Sequence, residues 1–237
     1  MRLLSASDLL DIWERAAGDT PVEQALSILA AVLPQPQPAL ARWSIARRDA
    51  ALFLLREQTF GAQFKGLADC PACGERLELA FAADDLRSAH ILPVSELSLL
   101  DAEGTDVLQA VTSFQLNDYR VSVRPLTSLD LTGVAALPDV SQARRQLFEA
   151  CLLSATHQEQ AISAQELPAD VMEAVIEQIG QAELLANLTV AFTCPACGHA
   201  WEVIFDIVSF FWSEINVWAL RMLREVHVLA SAYGWRE

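Results

Sequence analysis

Lysine is almost missing from this chain: Lys65 is the only one among sixteen positive charges, the rest being arginine. Against thirty-one acidic residues this leaves a net charge of −15. Such a balance argues against a nucleic-acid or anionic-membrane partner, because phosphate recognition needs clustered Lys and Arg. A GC-rich genome accounts for the arginine bias as simply as an interface role does. Long apolar runs are missing too, although hydrophobic residues make up 53% of the chain and mean hydropathy is +0.27. The longest, ALSILAAVL (25–33) and VIFDIVSFFW (203–212), fall short of the roughly 18–20 residues a membrane span needs. The opening MRLLSASDLLDIW meets polar and acidic residues at once, unlike a secretory signal. The expectation is a cytoplasmic, globular chain, some of whose apolar surface closes against other subunits. Nine glycines leave little for phosphate cradles, and there is no HExxH or GxSxG motif. No enzymatic constellation emerges.

Of five cysteines, four fall in two copies of one pentapeptide, CPACG at 70–74 and again at 194–198. Cys-x-x-Cys puts two sulfurs on one tight turn, with proline fixing a φ and glycine tolerating the left-handed residue. Two such turns supply four sulfurs, the ligand set of a structural zinc site. Redox chemistry of the CPxC kind uses one copy at a helix start, whereas each knuckle here runs into a strand pattern. Disulfides are disfavoured by the lack of a secretory signal. An iron centre of the rubredoxin type shares the ligand set and remains the alternative metal. The spacing therefore points to one structural zinc per chain on Cys70, Cys73, Cys194 and Cys197, a staple closing a loop of more than a hundred residues. Loop closure alone is worth on the order of 4–5 kcal/mol. The fifth cysteine, Cys151, lies in an apolar helical pattern and reads as a buried thiol. His199 reads as a neighbour of the centre rather than a ligand, and Asp84-Asp85 as a helix cap. His90, His157 and His227 are scattered.

Ser5…Asp8 and Thr20-Pro21-Val22-Glu23 have capping-box spacing and open helices, the second running to about Leu33. PQPQP (34–38) reads as a stiff linker, and Ser44 caps a helix that Gly61 ends. Strands are expected at 76–81, 187–193 and 200–207, forming one small zinc-ribbon sheet. A hairpin is expected to turn at Asn117-Asp118, followed by helices at 127–137, 139–155 and 168–185. Near the C-terminus Ile215, Trp218, Ala219, Met222, Val226, Leu229 and Tyr233 fall on one helix face. The fold class is α+β and mainly helical, with a four-cysteine ribbon sheet built from two distant knuckles and a separate central hairpin. The division expected is 1–66, a helical region; 67–83 with 187–207, a split zinc ribbon; 84–186, a central insertion; and 208–237, an aromatic amphipathic helix. Phe211, Trp212, Trp218, Tyr233 and Trp235 are the expected partner surface, since aromatics are enriched at interface cores.

LLSASDLLDIWERA, SIARRDAALFLLREQTFGAQF leading into CPACG, LTVAFTCPACGHAWEVIFDIVSFFWSEI and REVHVLASAYGW together resemble the zinc-knuckle baseplate proteins of contractile-tail phages and related contractile injection systems. These are grouped with baseplate hub and hub-assembly proteins. The resemblance spans essentially the whole chain. It implies a non-enzymatic structural or assembly component, made in the cytoplasm and incorporated in the particle, with hub, baseplate or tail-tube subunits as partners. A transient assembly chaperone, absent from the finished particle, is the rival reading.

Overall fold

A hydroxyl three residues ahead of an acid opens each of the first two helices. In α1 (Ala6–Ala16) the Asp8 amide donates to Ser5 Oγ at 3.2 Å while Asp8 accepts from the Ser5 amide at 2.8 Å. In α2 (Pro21–Ala30) Thr20 and Glu23 repeat the exchange, which satisfies amides that a helix start leaves unpaired. The expected PQPQP linker is interrupted by a one-turn helix, α3 (Gln37–Leu40), with Pro36 as its N-cap. Proline at a helix start forfeits only an amide that has no partner there. Ser44 caps α4 (Ile45–Phe60), and Gly61, at φ 94°, ends it. These elements belong to a computed structural model that describes residues 2–88, 111–182 and 188–235. His90, the expected end of the 168–185 helix and the start of the 187–193 strand lie outside the described residues. Among the described residues no helix is long and apolar enough to cross a membrane.

Helix α4 is the axis of the larger core. Every residue from Ala50 to Leu55 is buried, surrounded by α1, α2 and the long last helix, whose Ile207, Phe211 and Ile215 complete the cluster. A helix apolar around most of its circumference has to be central.

Two antiparallel ribbons leave this core. Strands β1 (Gln63–Asp69) and β2 (Arg76–Ala82) form the first, followed by a short helix, α5 (Ala83–Ser88). A smaller central unit comes next. Strands β3 (Thr112–Leu116) and β4 (Tyr119–Val123) are the expected hairpin, with Asn117 at φ 53°. The hairpin is separate from the ribbons, as expected, but it does not stand alone: β5 (Leu152–His157) and β6 (Gln160–Ile162) extend it into a four-stranded sheet of order β3-β4-β5-β6. Helices α6 (Ser128–Val134), α7 (Val140–Cys151) and α8 (Ala169–Ala182) accompany it, and Val121, Val123, Phe148, Ala155 and Val175 form a second core. The helix expected over 139–155 therefore ends at Cys151. The β5–β6 turn places Gln158 and Glu159 at positive φ, a task usually given to Asn or Gly, so no turn signal marked it.

The second ribbon, β7 (Thr189–Thr193) with β8 (Ala200–Ile204), leads into α9 (Ile207–Tyr233). The single sheet expected from 76–81, 187–193 and 200–207 is thus two separate two-stranded ribbons. Strand β1, QFKGLAD, lacks the apolar alternation that announces a strand. Residues 205–207 are not strand either, because Asp206 turns the chain by accepting from the Val208 amide at 2.9 Å as the cap of α9.

Candidate metal centre

The two knuckles have the same backbone. In each, the first cysteine's amide donates to the carbonyl five residues on, Cys70 to Glu75 at 2.8 Å and Cys194 to His199 at 2.9 Å. The glycine amide donates back to that cysteine's carbonyl, Gly74 to Cys70 at 2.8 Å and Gly198 to Cys194 at 2.9 Å. Both glycines stand at positive φ, 75° and 72°, where a Cβ is strained. Each turn sits at the tip of its ribbon, between β1 and β2 and between β7 and β8.

The tips meet. Cys70 Sγ lies 3.7 Å from Cys197 Sγ and Cys73 Sγ lies 3.6 Å from Cys194 Sγ, and all four sulfurs fall within 4.8 Å of one another. A tetrahedron with metal–sulfur bonds of about 2.3 Å has edges of about 3.7–3.8 Å, so the thiols are spaced for one ion. The first cysteine of each knuckle is buried and the second is exposed. The amides of Cys197 and Ala196 donate to Cys194 and pull its thiol down to about 7, against the cost of burial. Cys73 accepts from the Glu75 amide, yet its contact with Cys197, partial desolvation of its sulfur and the remaining sulfurs outweigh that and push it up to about 12. Four crowded thiols cannot all ionise without a cation among them.

The roots of the ribbons are joined as well. Phe64 of β1 stacks on Phe81 of β2 with centroids 4.8 Å apart, and Phe81 meets Phe205, just beyond β8, edge-on at 5.1 Å. Phe210 of α9 closes the group, 5.0 Å from Phe205. Over Phe64, at 4.0 Å, lies the Arg56 guanidinium. Arg56 donates twice to Glu214 of α9, at 2.5 and 2.7 Å, and to the carbonyls of Gly61 and Gln63. None of these supporting residues was singled out from the sequence. Phe81 and Phe205, aromatics close to the ribbon roots, were the available signal.

The other expected positions are placed as follows. Phe211 is fully buried, edge-on to Phe60; it fills the core and presents nothing to a partner, a correction to the expected surface. Trp212 and Trp218 are half-buried against the same core, and Tyr233 and Trp235 are exposed and stacked on each other. His199 stacks on Trp201, His157 on Tyr119. Cys151 is buried, with Arg124 at 4.0 Å. Asp85 sits in the first turn of α5 and accepts from the Ala82 amide at 2.7 Å.

A helical body carrying two cysteine turns that meet tip to tip, with their roots packed together, defines an α+β protein with paired cysteine knuckles. A family model described as T4 bacteriophage base plate protein matches residues 9–212, which takes in both knuckles and the core. The chain belongs to this family and is a phage baseplate protein. No match was found among curated proteins or among solved structures.

Proposed function

We propose that this chain is a non-catalytic structural subunit of the baseplate of a contractile tail or injection system, stabilised by one zinc ion on Cys70, Cys73, Cys194 and Cys197. The observation that carries the reading is the convergence of two knuckles distant in sequence on one cluster of four sulfurs, within a chain of the baseplate family. With four thiolates on the ion no coordination position is open to water or substrate, so the metal's work is to hold the fold. The division into a helical region (1–66), a split ribbon (67–83 with 187–207), a central insertion (84–186) and a C-terminal helix (208–237) follows the same logic. The ribbon is the junction, and subunit contacts run along the last helix through Trp212, Trp218, Tyr233 and Trp235.

Mass spectrometry of purified particles, with metal quantification of the isolated chain, tests the proposal. The expected result is a fixed stoichiometry in finished particles and one zinc in a colourless protein. A chain required for assembly but absent from particles identifies a chaperone, and a red, iron-containing protein overturns the zinc assignment.

A further inference from the structure

Helix α9 runs for 27 residues, about 40 Å, but among the described residues only its first half has a neighbour. Ile207, Val208, Phe211, Ile215 and Ala219 are buried, and no described residue after Ala219 is. The apolar stripe does not stop there. It continues at alternating steps of four and three residues through Ile215, Ala219, Met222, Val226, Leu229 and Tyr233, the seam of a coiled coil. Val226 and Leu229 are each 46% exposed and Tyr233 is 72% exposed. Among the described residues, one seam thus serves the chain's own core for half its length and lies open for the other half.

We propose that a second copy of this chain covers the open half, the two α9 helices crossing antiparallel about a twofold axis. The occupant follows from the register and the shape. The seam side of the first half is filled by α1, α2 and α4, so a parallel copy would have to place its own first half where those helices stand. An antiparallel copy carries its body to the opposite end. The open segment is then self-complementary, as a twofold interface requires. Met222 layers with Tyr233 of the second copy and Val226 with its Leu229, while Leu223 flanks Ala230. Glu225 falls beside Ala232, so no charge meets its like. Arg221, Arg224 and Glu225 leave the segment slightly positive on a chain of net charge −15, so the bodies' mutual repulsion is not concentrated there. Burying these side chains removes about 1,000 Å² in all, the low end for a specific interface. A reversible, concentration-dependent dimer is the consequence. This is the surface assigned above to subunit contacts, and the inference rests on that assignment.

Sedimentation equilibrium of the full, metal-loaded chain between roughly 1 and 100 μM, concentrations that bracket a micromolar association, is the test. A monomer–dimer equilibrium is expected in the wild type. Val226→Asp and Leu229→Asp should be monomeric throughout with unchanged metal content and melting, since neither side chain is buried. Ala232→Arg should tighten the dimer about three- to fivefold by facing Glu225 twice across the axis, whereas Ser231→Arg, on the outer face, should not. A wild type monomeric over the whole range, or a dimer indifferent to both aspartates, overturns the proposal. An Ala232→Arg effect no larger than that of Ser231→Arg overturns the antiparallel register. Because metal content and incorporation into particles are measured separately, a monomeric wild type found in particles sinks the dimer and leaves the baseplate reading standing.

Discussion

Cys70 and Cys194 are the inner members of their knuckles and Cys73 and Cys197 the outer ones, so substitutions at the four are not equivalent in what they expose. All four, however, belong to one cluster of sulfurs and share the one ion of the proposed site. Cys70→Ser or Cys194→Ser should abolish stoichiometric zinc and unfold or aggregate the protein, because a structural zinc supplies about 10 kcal/mol or more of folding free energy. Equal solubility and unchanged melting would refute a folding role for the metal. Gly198→Ala is the gentler probe. No atom lies within 4 Å of the added Cβ, so its cost is the left-handed backbone alone, about 1–2 kcal/mol, read as faster zinc loss to a chelator. At this scale the sequence was most legible: four cysteines that cluster and two glycines at positive φ are written in two copies of CPACG. What it hid were the groups that orient them, since the carbonyls of Glu75 and His199 act through the backbone and leave no mark on residue choice.

Between elements, the Arg56–Glu214 pair matters most. A buried arginine on α4 takes two carbonyls and a carboxylate from three different segments. Arg56→Met should cost about 3–5 kcal/mol, because the partners are left desolvated and unpaired. The double variant Arg56→Met/Glu214→Leu should recover part of that in a urea titration and not all, the Gly61 and Gln63 carbonyls still lacking a donor. Acid sensitivity belongs to the smaller unit. Asp130 is disfavoured by burial, but hydrogen bonds from Arg124 and Thr127 outweigh it and hold its pKa below the usual carboxylate range. A carboxylate depressed in this way contributes stability that is present above its unfolded pKa and lost as the pH falls through the folded one. Melting of Asp130→Asn should therefore fall less than wild type below about pH 4. Asp49 works in the opposite sense, its pKa raised by burial despite Arg48, so its ionised form costs stability that protonation relieves. Helix starts were readable from the capping boxes of Ser5 and Thr20 and from the N-cap serine Ser44. Strands β1, β5 and β6 were not, because Gly66 and Ala68 blur one pattern and Gln158-Glu159 disguise the turn of the others.

Across the whole molecule, the ribbons connect the N-terminal helices to α9 without passing through the middle of the chain. Their tips meet at the four sulfurs and their roots at Phe64, Phe81, Phe205 and Phe210. The helical character and the meeting of the knuckles could be foreseen from the sequence. The shared root could not, since it depends on aromatics brought together only by tertiary packing. In a machine that does mechanical work this arrangement decides where tension goes. Pulled between its first and last helices, the metal-loaded chain transmits force across the thiolate–metal bonds, and the segment between Cys73 and Cys194, 121 positions apart, is shielded from it. In an optical trap the loaded protein should lengthen about 40 nm less than the chelated one, until a single late rupture releases the hidden contour length. A subunit wired this way can be tugged by its neighbours while its central unit stays slack.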